Sequence, residues 1–91
     1  MRSNFLLGEL VVTDSARVAL GRDPLDLIAR HAVNDHGLAS LKQHKLNLKG
    51  YKEADEIVSV FHIDPTDHTK GRVIVVTAAT WDKTTVKLEH E

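Results

Sequence analysis

The last third of the chain contains two consecutive runs of β-branched residues with a short polar break between them. The first run covers residues 72–80, the second covers residues 84–88, and Trp81-Asp82-Lys83 separates them. β-Branched side chains favour the pleated, half-buried surface of a sheet, and polar residues between two such runs indicate a turn. The pattern predicts a β-hairpin, which limits the fold to classes that contain antiparallel strands.

Five further segments carry signals of regular structure. Residues 8–13 and 57–63 are predicted strands, because apolar and β-branched residues predominate in both. Helices are predicted over residues 15–20, 24–34 and 41–51, each preceded by a residue type that caps helix N-termini. The resulting order of elements is β-α-α-α-β-β-β.

Apolar spacing predicts which sides of the two longer helices face the core, since residues three or four apart share one side of a helix. In the second predicted helix these residues are Leu25, Ile28, Ala29 and Ala32. In the third predicted helix they are Leu41, His44, Leu48 and Tyr51. We expect both sets of side chains to pack against the sheet.

The order of elements predicts a single α+β domain over residues 1–91. Three consecutive strands joined by short turns indicate an antiparallel β-meander, which has about four strands once residues 8–13 are added. One face of such a sheet must be covered, so we expect the helices to pack on that face. The final strand is expected at an open edge, where it could pair with another chain and form a homodimer.

Charge and composition exclude several classes of function. The formal net charge is −1 at pH 7, and the chain contains no cysteine. A nearly neutral chain has no general attraction to nucleic acid or anionic membranes. Without cysteine there are no disulfides, no thiol catalysis and no Cys-based zinc site. No apolar run approaches the ~20 residues that span a bilayer, so a cytoplasmic protein without membrane contact is predicted.

Short islands along nearly the whole chain match a recurring pattern. They comprise residues 7–13 (LGELVVT), 23–25 (DPL), 29–31 (ARH), 35–37 (DHG), Asn47 and residues 84–88 (TTVKL). Together they resemble a family of small proteins of plasmids and integrative elements whose members read LGxxVATPGAL, then LARHxxGDWG, then ITEADRSxTTILL. The resemblance implies cargo of a mobile element that modulates host defence or element transfer. The family's TEADRS turn is TAATWD here, so its glutamate and arginine have no counterpart.

Histidines and carboxylates raise the question of catalysis or metal binding. His31 and His36 are five residues apart, a spacing that does not place them on one side of a helix. We expect His31 to be a partly buried structural histidine whose ring bonds a backbone carbonyl. The turn cluster of Asp64, Asp67 and His68 matches no known ligand pattern and is expected to be a solvated loop. Without a nucleophile motif or a phosphate-binding loop, no enzyme activity, cofactor or metal is predicted.

Four lysines form a stripe on the third predicted helix, at spacings of 3, 4 and 3 residues: Lys42, Lys45, Lys49 and Lys52. At ~100° per residue they fall within an arc of roughly 80°. Such a stripe could contact phosphates, and its simpler interpretation is a solvated face. Trp81, at the tip of the predicted hairpin, is either folded back over the sheet or displayed to a partner.

These features favour a non-enzymatic protein-binding or inhibitory module. The expected contact residues are Trp81, Asp82, Lys42, Lys45, Lys49 and Lys52. The alternative hypothesis is a nucleic-acid-binding accessory protein that uses the lysine stripe. The two hypotheses differ in salt dependence, because every phosphate contact releases counterions from the nucleic acid.

Overall fold

A computed structural model describes residues 5–91 of the chain and confirms the α+β class. Its elements are β1 (Glu9–Val12), α1 (Asp14–Leu20), α2 (Leu25–Ala32), α3 (Leu41–Glu53), β2 (Ile57–His62), β3 (Arg72–Thr77) and β4 (Lys83–Leu88). Short 3₁₀ turns follow β2 and β3, at His68–Lys70 and Ala79–Trp81. Every predicted helix and strand is present, and no end is displaced by more than three residues.

The sheet is mixed rather than a pure antiparallel meander. Its strand order is β1-β4-β3-β2. Strands β2, β3 and β4 form the predicted antiparallel meander, but β1 pairs parallel to β4. A parallel pair needs a long crossover connection, and three helices and two strands separate β1 from β4. The prediction that the final strand lies at an open edge is therefore wrong, because β4 lies between β1 and β3.

The helices pack on one face of the sheet, as predicted. Burial alternates along the strands, and the side chains that point to the helices are buried. The apolar core there consists of Ala16 from α1, Leu27 and Ile28 from α2, and Phe61, Val73, Val75 and Val86 from the sheet. The polar residues Ser59, Thr77 and Thr84 occupy inward positions on the same face.

The two longer helices are rotated relative to the expected orientation. In α2, Ile28 and Ala32 are buried as predicted, Ala29 is half-buried, and Leu25 is exposed. In α3 the prediction is wrong: Asn47 and Gly50 are buried, whereas Leu41, His44 and Leu48 are exposed and Tyr51 is half-buried. A Cβ on Gly50 would lie 2.6 Å from Ile57 Cδ1, so glycine allows α3 to approach β2 closely on this side.

Asn47 explains why α3 turns its polar side to the sheet. Its Oδ1 accepts a hydrogen bond from the Val58 N–H (2.9 Å), and its Nδ2 donates to the Val58 carbonyl (2.8 Å). Farther along β2, the Val60 N–H donates to the His36 carbonyl (3.1 Å), and the Leu38 N–H donates to the Val60 carbonyl (2.7 Å). The outer edge of β2 is thus closed by hydrogen bonds rather than left open.

Candidate functional site

A series of hydrogen-bonded polar side chains lies buried between the helices and the sheet. At its centre the His31 ring joins two strands: Nδ1 lies 2.6 Å from Ser59 Oγ, and Nε2 lies 2.9 Å from Thr77 Oγ1. Ser59 Oγ also lies 2.8 Å from Nδ1 of His36. His31, Ser59 and Thr77 have no exposed surface, and His36 is 3% exposed.

The series continues beyond this centre in both directions. On one side the Tyr51 hydroxyl bonds Nε2 of His36. On the other, Thr77 Oγ1 lies 2.7 Å from Thr84 Oγ1, which donates to the Leu7 carbonyl (2.6 Å). We call this series the polar row; its members are Tyr51, His36, Ser59, His31, Thr77 and Thr84. It connects α2, α3 and the loop after α2 to three strands.

The carbonyl at the end of the polar row fixes the direction of every proton. Thr84 donates to the Leu7 carbonyl, which can only accept, so its oxygen accepts the Thr77 proton. Thr77 then accepts from Nε2–H of His31, leaving Nδ1 to accept the Ser59 proton. Ser59 in turn accepts from Nδ1–H of His36. Nε2 of His36 accepts from Tyr51, so in this arrangement, with both rings neutral, all groups have partners.

Burial keeps the members of the polar row uncharged. Burial, with a smaller contribution from the neighbouring His36, lowers the pKa of His31 to about 3. Burial also lowers the pKa of His36, with a smaller contribution from His44. The same cause raises the pKa of Tyr51 to about 12. The proton arrangement derived from the hydrogen bonds is therefore the one expected at neutral pH.

A serine between two histidines has the composition of a nucleophilic site, but its surroundings do not give a substrate access. The Ser59 proton is donated to His31, its oxygen accepts from His36, and the side chain has no exposed surface. A reacting group must come within hydrogen-bond reach of the nucleophile. We therefore assign the polar row to the fold. His31 is structural as predicted, but it is fully buried and bonds two hydroxyls rather than a backbone carbonyl.

Acid is expected to destabilise the protein through His31. The unfolded histidine titrates near pH 6.5 and the folded one near pH 3, so the unfolded chain binds more protons between these values. Stability is then fully present above about pH 6.5 and falls as the pH is lowered. His31 alone should remove about 2 kcal/mol of unfolding free energy between pH 7.5 and pH 5.0. Urea unfolding at the two pH values measures this difference.

Two variants test whether the loss of stability in acid comes from His31. His90→Gln changes an exposed histidine outside the polar row and serves as the matched control. His31→Gln should be less stable at pH 7.5 and should lose the His31 share of the dependence, about 2 kcal/mol. Equal stability of the unaltered protein at pH 7.5 and 5.0 would contradict the neutral, buried state of His31.

The turn between β2 and β3 is held by its own side chains. Asp64 accepts hydrogen bonds from the Thr66 N–H (2.8 Å) and hydroxyl, and Asp67 accepts likewise from Thr69. The His68 ring stacks on His62 with centroids 3.7 Å apart. Within residues 5–91, no three histidine or carboxylate side chains are arranged to hold a metal ion.

Trp81 is folded back rather than displayed. Its Nε1 donates to the Asp55 carbonyl (3.0 Å), and its ring lies 5.6 Å from the Phe5 ring. The adjacent Asp82 side chain is exposed, and the Asp82 carbonyl accepts from the Glu9 N–H (3.0 Å). These contacts join the β3–β4 loop to the α3–β2 turn and to the start of β1. A role for Trp81 and Asp82 in binding a partner stays a prediction.

The outer side of α3 combines leucines with the predicted lysine stripe. Leu41 is 72% exposed and Leu48 is 58% exposed, and the four lysines are exposed as well. At ~100° per residue these residues occupy an arc of about 120° on the side opposite Asn47 and Gly50. We call this surface the Leu/Lys face; it consists of Leu41, Lys42, Lys45, Leu48, Lys49 and Lys52. Lys49 is the one of its lysines with a carboxylate close by in the described chain, Glu53 at 3.8 Å.

A surface cavity of about 350 Å³ lies between α2 and β2. Its walls include Arg22 and Arg30, which are paired with Asp26 and with Asp35. The Arg30 guanidinium also lies 4.5 Å from the centre of the Phe61 ring. The arginines of this cavity are thus already engaged by groups of the chain itself.

No protein-family model, curated protein or solved structure matches this chain. The resemblance to small proteins of plasmids and integrative elements therefore stays a prediction. Three positions that carry it have structural roles here: His31 and Thr84 belong to the polar row, and Gly37 lies against the β2 edge. No helix within residues 5–91 has the length and apolar character needed to cross a bilayer.

Proposed function

We propose that this chain is a non-catalytic protein-binding module whose contact surface is the Leu/Lys face of α3. The observation that supports it is the exposure of Leu41 (72%) and Leu48 (58%) on a helix that already packs through its opposite side. Exposed apolar side chains grouped on one surface and bordered by charges are typical of protein interaction sites. An isolated exposed leucine would carry no such meaning.

The helix cannot bury these leucines by rotating. Asn47 makes two hydrogen bonds to the backbone of Val58, and Gly50 lies against Ile57. Rotation would leave the Val58 groups without partners and would replace Gly50 by larger side chains, each at a cost in stability. Leu41 and Leu48 are therefore held outward by the packing of α3, which makes them available to a partner.

Charge defines the chemistry of the expected partner. The four lysines lie on one side of the two leucines, so a complementary surface has an apolar groove with acidic side chains along one side. Nucleic acid would satisfy the lysines but would leave the leucines in water. Aromatic residues, on which bases stack, form only 4% of the chain. The combination of leucine with lysine thus favours a protein over a nucleic acid.

The cellular setting follows from the sequence resemblance. A product of a mobile genetic element that acts in the cytoplasm would meet host defence proteins and the proteins of element transfer. An inhibitory module needs only a stable binding surface, and the Leu/Lys face supplies one without a catalytic site. We accordingly propose a target within one of these two groups.

A pull-down with matched variants tests the proposal. The tagged full chain is exposed at moderate salt to a lysate of the cells that carry it, with nuclease-treated and untreated halves run in parallel. We compare it with Leu41→Ser/Leu48→Ser, with Lys45→Glu/Lys52→Glu, and with the control Val18→Ser, which alters an 81% exposed residue of α1. A stoichiometric protein should be retained after nuclease treatment by the unaltered chain and by the control. Both α3 double variants should lose it, with affinity reduced about tenfold or more.

Two results of the pull-down would contradict the proposal. Recovery of nucleic acid, or of proteins that nuclease releases, would support the accessory nucleic-acid-binding function and overturn the proposal. Retention by the leucine variant at the level of the control would show that the Leu/Lys face is not the contact surface. Unfolding curves of each variant, which should stay within about 1 kcal/mol of the unaltered protein, exclude loss of fold as the cause.

A further inference from the structure

The two edges of the sheet differ in how their backbone groups are satisfied. At the β2 edge, Asn47 and the segment around Gly37 bond the outward groups of Val58 and Val60. At the β1 edge, the part of the chain that the structure describes supplies no equivalent cover. Proteins normally protect sheet edges, because an unpaired strand is a template for another strand. Because specific contacts protect only the β2 edge, the open β1 edge is a candidate for pairing with another strand.

The direction of the free groups follows from the pairing of β1 with β4. The Glu9 N–H donates to the Asp82 carbonyl (3.0 Å), and the Thr13 N–H donates to the Val86 carbonyl (3.0 Å). Backbone groups alternate in direction along a strand. The N–H and C=O groups of Leu10 and Val12 therefore point away from β4, toward the open edge.

We propose that β1 pairs with β1 of a second copy of this chain, antiparallel and centred on Val11. In that register Leu10 of each copy lies opposite Val12 of the other. Each of the two Leu10–Val12 pairs exchanges two backbone hydrogen bonds, so all four outward N–H groups gain acceptors. The two Val11 residues then form the close, non-hydrogen-bonded pair at the twofold axis.

Side chains and charge support a second copy as the occupant. The three paired residues are all apolar, and Leu10 is 48% exposed in the single chain. Pairing places this leucine against Val12 of the other copy, as expected for a favourable cross-strand pair. Glu9 lies opposite the uncharged Thr13, so the paired residues themselves place no like charges opposite each other; the Thr13 hydroxyl donates to the Glu91 carboxylate (3.3 Å). The segment of residues 9–13 is thus complementary to itself in this register.

Sedimentation equilibrium of the full chain tests the pairing, over about 1 to 500 µM because dimerisation is concentration-dependent. The expected mass rises from that of one chain, 10.1 kDa, toward twice that value. Leu10→Lys puts a charge into the pairing strand and should weaken the dimer about tenfold or more. Val18→Lys makes the corresponding change at an exposed aliphatic residue of α1 and should leave the dimer intact.

Amide exchange on the unaltered chain tests the same pairing without a variant. Exchange at Leu10 and Val12 should slow as concentration rises, whereas exchange at Glu9 and Thr13, already bonded within the sheet, should not. A monomer at every concentration would overturn the proposal, and would leave the open edge to a strand of a different protein. A dimer with equal affinity in Leu10→Lys, or exchange at Leu10 and Val12 independent of concentration, would also overturn it.

Discussion

Replacing His31 by leucine is expected to lower the free energy of unfolding by about 3–5 kcal/mol, the largest effect of any single change considered. The substitution removes one of the two hydrogen-bond partners of each of two buried hydroxyls, those of Ser59 and Thr77. It also removes the hydrogen bonds that join α2 to strands β2 and β3. A domain of this size has a total stability of roughly 5–10 kcal/mol, so the variant should be marginally folded. Denaturant unfolding at pH 7.5, followed by circular dichroism, measures the change.

The matched control is His90→Leu, the same substitution at an exposed position, with an expected change of less than about 0.5 kcal/mol. A second variant tests the coupling within the polar row. In His31→Leu/Thr77→Val the Thr77 hydroxyl is absent, so the added cost should be smaller than the cost of Thr77→Val alone. A loss of under about 1 kcal/mol in His31→Leu would contradict a structural role for the row.

Gly37→Ala is expected to cost about 3 kcal/mol or more, because the position combines a left-handed backbone with close packing. Its φ is +59°, and a Cβ there would lie 2.3 Å from the Val60 carbonyl oxygen. The same Cβ would also lie 2.6 Å from Cδ1 of the Phe61 ring. The chain would have to withdraw from the β2 edge and lose the hydrogen bonds to Val60. Thermal and denaturant unfolding of the variant measure the loss.

Gly21→Ala separates the two causes of this loss. Gly21 ends α1 with φ +66°, close to the value at Gly37, but no atom lies within 4 Å of its added Cβ. This variant should therefore show only the backbone cost, about 1 kcal/mol. Equal destabilisation of the two variants would contradict the close approach of the residue 36–38 segment to β2.

The local elements could be predicted because their signals are local. Ser40 Oγ accepts from the Gln43 N–H (3.1 Å), and α3 begins where this cap predicts. The runs of β-branched residues in β3 and β4, with the polar break between them, likewise predicted the hairpin. The position of β1 could not be derived this way, because strand choice depends on contacts distant in sequence. Because β1 pairs parallel to β4, the final strand of the chain, β4, lies inside the sheet.

The orientation of α3 was mispredicted for an identifiable reason. Leucine spacing suggested a buried side, but the stronger constraint is the pair of hydrogen bonds from Asn47 to Val58. A buried asparagine bonded to a strand edge leaves no trace in apolar periodicity. The polar row did leave a usable signal: Ser59 and Thr77 occupy inward positions in strands that are otherwise apolar there. Polar residues at such positions need a buried partner, and His31 supplies it.

Binding through the Leu/Lys face is tested by titration. The captured protein is purified and titrated against the chain and its α3 variants. Affinities are measured at about 0.05 M and about 0.2 M salt, a range over which phosphate contacts weaken steeply. We expect at least about a tenfold loss for Leu41→Ser/Leu48→Ser, none for Val18→Ser, and only a modest effect of salt. Unchanged affinity in the leucine variant, or affinity that depends on salt and lysines alone, would contradict it.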